Sequence, residues 1–240
     1  MHHFNNVGLY DALFVMQDTE TKTLWNHITA EALYGPLVGQ TLGPLSNLLQ
    51  MNVKQALEMD PMMQVAISDR PYFAGGKQFG STSGFGRGGG LGPGRGTGPR
   101  RAPGNSNAQL SEMFIQTLGK EDSRRPRMDM GLGVWTSARS RYYPMEVIRQ
   151  RGEALLDEID GREVLIYIEP ETSTPAAMFV DANSARLEGT DVRLDTGALV
   201  RSGALLDRRG TRQNVERPQQ IFTRWYGFAL TFPGCDVFGK

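Results

Sequence analysis

Apolar and polar positions alternate almost from the first residue. In "VGLYDALFVMQD" two short runs, Val7–Tyr10 and Ala12–Met16, carry the period of two expected of half-buried strands. "TLWNHI" predicts a further strand, after the polar turn residues Asp18, Thr19 and Glu20. "YGPLVGQTLGPL" is broken by glycine and proline and has room only for short strands. Asn52 predicts the N-cap of a short helix over "NVKQALEMDP", stopped by Pro61, with "MQVAIS" as a closing strand.

The second half repeats this texture. "MFIQTLGKED" predicts one or two helical turns, and "GLGVW" with "ARSRYYP" predicts a hairpin pair. Pro144 opens a helix, "PMEVIRQRG", that Gly152 ends. The sharpest local signal is "LLDEI-DG-REVLIYIE". Two apolar runs meet at Asp160-Gly161, a pair that tolerates the positive φ angles of a type I′ turn. "AAMFVD" and "DVRLD" add strands, and "QQIFTRWYGFALTFP" reads as a helix reaching Pro233. "NVKQALEMDPMMQVA" can be laid over "RWYGFALTFPGCDVF" without a gap, pairing Asn52 with Arg224 and Pro61 with Pro233. Each copy reads as helix, proline stop and strand, which suggests an internal repeat.

Composition adds a boundary. Residues 71–111 hold Lys77, Arg87, Arg95, Arg100 and Arg101, no acids, and many of the chain's 29 glycines. Such a stretch has too little apolar bulk to offset its own ordering entropy, so disorder is expected there. The pattern Gly84, Gly86, Gly89 has no strand before it and no helix after it, so it carries no phosphate-loop meaning. The whole chain has 26 basic and 26 acidic residues, so no overall field points to nucleic acid or membrane. No apolar run reaches the ~18 residues of a membrane span. A lone Cys235 excludes an internal disulfide and a cysteine-based metal cluster.

The residues around Asp18 carry a family resemblance. Asp18-x-x-Thr21-x-Thr23-x-Trp25, then Thr29-Ala30-Glu31-Ala32 and Gly35-Pro36-Leu37-x-Gly39-x-x-Leu42, resemble the family catalogued as domain of unknown function 3179. Ala30 stands where that family usually has glycine. "GLGVWTSARSRYYPMEVI" and "LLDEIDGREVLIYIEP" are similar to its opening strand, its Tyr-Pro helix start and its central hairpin. The resemblance implies an α+β, β-rich fold of two related antiparallel β lobes with a few short helices. Residues 1–70 are then a partial first copy and residues 112–240 a second, diverged copy, joined by the disordered Gly/Arg-rich linker 71–111. Some members of the family are described as selenoproteins. It follows as an expectation that a cysteine or selenocysteine segment precedes Met1 in a longer, redox-linked protein, and that this bacterial-type chain is its downstream, truncated part.

The candidate ligand-binding residues are Asp18, Thr21, Thr23, Trp25, His27 and Glu31. On a strand, Thr21, Thr23 and Trp25 share one face and form a small polar platform. The competing reading is a turn held by Asp18 over a core Trp25. His27 and Glu31 become a base pair of interest where they line a cleft. His2 and His3 suit square-planar copper or nickel only with a free amino terminus, so no metal is assigned. No cofactor is implied, and catalytic residues are not assigned. Asp236 beside Cys235 disfavours a thiolate. The chain alone is expected to be inert toward thiols and disulfides, acting as scaffold or substrate surface. Two rival functions stand: a non-catalytic module for a small polar ligand, and RNA binding through Phe73, Phe79, Phe85 and the arginines of the linker. Five charges over that length favour a spacer over a nucleic-acid arm. The compartment stays open, and the partners stay unassigned.

Overall fold

The structure, a computed structural model, describes residues 3–47, 49–66 and 110–239. Residues 71–109 of the Gly/Arg-rich segment and the last two residues of the expected strand "MQVAIS" lie outside the described residues; residues 63–66 are not in a strand.

The fold is β-rich, with four sheets and short helices. The first sheet is a meander of β1 (Phe4–Tyr10), β2 (Leu13–Asp18), β3 (Leu24–Asn26) and β4 (Ala32–Tyr34) in chain order. Asp11 and Ala12, at φ 53 and 56, form its first two-residue turn, the geometry whose twist matches paired strands. β1 is an edge strand paired with β2, and its register slips between Asn6 and Gly8. Helix α1 (Val53–Met59) follows, and its start is as the sequence predicts. Asn52 accepts from the Gln55 amide while the Gln55 side chain accepts from the Asn52 amide, closing a capping box. Helix α2 (Glu112–Ile115) is a single turn.

The body of the molecule is built from the remaining sheets. β5 (Met130–Trp135) and β6 (Ser140–Pro144) pair as expected, and α3 (Met145–Gln150) starts directly after Pro144. β7 (Ala154–Ile159), β8 (Arg162–Glu169) and β9 (Thr174–Phe179) make a three-stranded sheet whose first turn has Asp160 and Gly161 at φ 53 and 74. A second meander joins β10 (Ala185–Glu188), β11 (Asp191–Leu194), β12 (Leu199–Arg201) and β13 (Ala204–Leu206).

A further expectation fails here. "QQIFTRWYGFALTFP" is not a single helix: Gln219–Arg224 is β14, and only Trp225–Thr231 is helical, as α4. β14 pairs antiparallel with β5 over its whole length, so Ile221 and Thr223 follow their β propensity and not a helical period. The sheet order is β14-β5-β6-β15, with β15 (Asp236–Val237) parallel to β6.

The core lies between these layers. Leu132, Val134, Tyr143 and Ile148 pack against Ile159, Val164 and Ile166. The other face of the three-stranded sheet, through Leu165, Tyr167 and Met178, packs against Val192, Leu194 and Val200 of the second meander. Trp225 and Phe228 of α4 pack on Tyr142, Cys235 and Val237. Each fully buried large side chain stabilises by roughly 1.5–3 kcal/mol. The N-terminal segments are tied to this body. The Asp11 amide donates to the Thr117 carbonyl, Asn47 bonds the backbone around Gln220, and Thr174 donates to the Gln50 carbonyl. No helix among the described residues is long and apolar enough to cross a membrane.

Candidate functional site

Four of the sequence-derived candidates form one knot. Asp18, at the end of β2, is wholly buried, as is Thr23, and Trp25 is 2% exposed. The Asp18 carboxylate accepts from the Trp25 indole N–H at 2.8 Å, from the Thr21 amide and from the Thr21 hydroxyl. The Thr21 and Thr23 hydroxyls lie 2.6 Å apart. The turn that brings them together has Lys22 at φ 63, with its amide bonded to the Asp18 carbonyl. Strand β3 begins only at Leu24, so Thr21 meets Asp18 from the turn and not from a strand face. Gly35 closes the cluster from outside: a Cβ there would stand 2.9 Å from the Thr23 Cα. A carboxylate met by several donors in a dry site is a strong local brace.

His27 and Glu31 go elsewhere. They line an open groove of about 220 Å³ with Tyr10, Asp11, Phe14 and Leu230. The His27 Nδ1 lies 2.7 Å from the Phe14 carbonyl oxygen. A carbonyl can only accept, so in the neutral ring Nδ1 holds the hydrogen and Nε2 is left as a base. Glu31 accepts from the Thr29 hydroxyl, and Asp11 accepts from the Gly119 amide. The groove therefore presents acceptors and negative charge beside the exposed rings of Tyr10 and Phe14.

The Cys235 thiol is buried and weakly acidic. It is 3% exposed, and burial pushes its pKa up to about 11, against the opposing pull of Arg124. No group of three or more His, Cys, Asp or Glu side chains suited to a metal occurs among the described residues.

A second polar site has no place in the sequence-derived set. Gln55, Tyr167, Glu169, Ser202 and Gln220 line a cavity of about 30 Å³ between α1, the three-stranded sheet and the β12–β13 turn. Gln55 is wholly buried, and its Nε2 has no hydrogen-bond partner among the described residues. Burial raises the pKa of Glu169 and Glu171 adds to the rise, while the backbone amides of Glu171 and Gly203 and the nearby Gln55 amide oppose it. Two signals in the sequence mark this site. Gln55 stands three residues after the cap Asn52, and Glu169 directly follows the hydrophobic run Val164–Ile168.

The sequence matches the family model described as "Protein of unknown function (DUF3179)" over residues 3–230. The chain belongs to the DUF3179 family. No curated protein and no solved structure gives a significant match. In this DUF3179 chain the matched span takes in the Asp18 knot, the His27 groove and the Glu169 cavity, and ends inside α4.

Proposed function

We propose that this DUF3179 chain is a non-catalytic binding module for a small polar ligand, held in the groove of His27 and Glu31. The observation that carries the reading is the 2.7 Å contact between His27 Nδ1 and the Phe14 carbonyl, which orients the ring and leaves Nε2 free to accept. With Asp11 and Glu31 both lining it together with Tyr10 and Phe14, the groove suits a hydrogen-bond donor that carries positive charge, such as a small ammonium compound. Asp18, Thr21, Thr23 and Trp25 act as the brace that holds the hairpin bearing His27. Titration of the full chain with small ammonium and guanidinium compounds, followed through the backbone amide resonances of Tyr10, Asp11, Phe14 and Glu31, tests this. His27→Ala and Glu31→Gln are each expected to weaken binding by about tenfold, the worth of one charge-assisted hydrogen bond. Resonances that stay fixed through millimolar concentrations of every such compound would end the reading.

The redox-linked alternative is kept in one form. Cys235 is buried and poorly acidic, which favours a scaffold to which a thiol or selenol is supplied from elsewhere. The two-copy organisation, 1–70 and 112–240, belongs to the same proposal. Asn52 and Arg224 are N-caps of helices of 7 residues each, and a four-stranded meander comes earlier in the chain than each helix, with β14 standing between the second meander and α4.

A further inference from the structure

The cavity beside Gln55 joins two parts of the chain that are far apart in sequence. On one side is α1, whose Glu58 accepts from the Ser202 hydroxyl at 2.5 Å. On the other are Glu169 and Tyr167 at the end of β8. The orientation of the Gln55 amide is set by the capping box: Oε1 accepts from the Asn52 amide at 3.0 Å, so Nε2 must point the other way, into the cavity. A buried amide donor without an acceptor is costly to leave unmet, and a buried carboxyl asks for donors in turn. The Glu169 carboxyl takes the backbone amides of Glu171 and Gly203 and lies near the Gln55 amide, yet Gln55 Nε2 makes no direct hydrogen bond of ordinary length and angle to any described group. A space of about 30 Å³ has room for roughly one or two water molecules and is too small for an organic ligand.

From this geometry we infer that the cavity is a built hydration site, in which one or two waters accept from Gln55 Nε2 and donate to the Glu169 carboxyl. The bound water completes the seam between α1 and the C-terminal body. The inference is independent of the His27 groove, which lies on other elements.

Oxygen-17 relaxation dispersion of the full chain counts waters that exchange slowly, and water itself is the probe. Gln55→Leu keeps the side-chain volume and removes the donor; it is expected to lose the one or two long-lived waters. Glu169→Leu is expected to lose them too, whereas Glu169→Gln keeps them because a carboxamide still accepts. Gln55→Leu also opens the capping box, so Asn52→Ala serves as the control: it loosens the same cap and leaves the count unchanged. An unchanged count in Gln55→Leu, or an equal loss in Asn52→Ala, overturns the site. Should Gln55→Leu fail to fold, electron density in crystals of the Glu169→Gln variant decides, and a cavity without a water bonded to Gln55 Nε2 overturns it equally.

Discussion

Asp18 shows how one carboxylate can organise a hairpin. It has no exposed surface, and its oxygens gather an indole N–H, a hydroxyl and a backbone amide. Asp18→Ala would leave the Trp25 N–H and the Thr21 hydroxyl buried with no such acceptor. The expected loss is about 2–4 kcal/mol in urea unfolding, and Thr21→Ala, which removes one donor only, is expected to cost about 1 kcal/mol. Equal, small effects from both would show that the knot is ornamental. The sequence offered two readings of Asp18, Thr21, Thr23 and Trp25, a platform or a braced turn, because residue spacing does not say whether an indole N–H faces solvent or a carboxylate. The His27–Phe14 contact was equally illegible: it joins a side chain to a backbone oxygen 13 positions away.

Among the elements, local chemistry settled the turns and caps. Asp160-Gly161 forms its hairpin and Asn52 caps α1 because both signals act within a few residues. Gln219–Arg224 reads locally as helix, and is a strand, because its pairing with β5 is long-range. The close packing there depends on Gly133, where a Cβ would stand 2.1 Å from Phe228. Gly133 needs space and not an unusual φ. Gly133→Ala is therefore expected to destabilise by at least about 2 kcal/mol, as overpacking does. Phe228→Ala in the same chain should make the alanine at 133 nearly harmless, read from a double-mutant cycle of thermal unfolding. Additive losses would mean the two side chains do not meet. The equal helices α1 and α4 differ in the same way: α4 buries Trp225, Phe228 and Ala229, whereas α1 buries only Gln55.

Across the whole molecule, burial is uneven. Among the described residues the large exposed apolar side chains all fall between Phe4 and Ile115, and the layers from Met130 onward hold the compact core. Glu169 sits at the junction of these parts, and its folded pKa is raised above the ordinary 4.5. From about 4.5 upward the folded chain keeps a proton that the unfolded chain has lost, so this group's contribution to stability falls as pH rises. Glu169→Gln is expected to raise the melting temperature near neutral pH and to leave it unchanged at about pH 4, where both states are protonated. A gain that is the same at both pH values would show that charge is not the cause. The amino-acid order was enough for the β-rich class, the turn positions, the α1 cap and the family likeness, since these rest on period, φ preference and side chains close in sequence. Folding in three dimensions decided that Gln219–Arg224 is a strand, that Asp18 and Trp25 meet, and that Gln55 faces Glu169. Those outcomes depend on which distant surface each residue is buried against, and burial is a property that no local stretch of chain possesses.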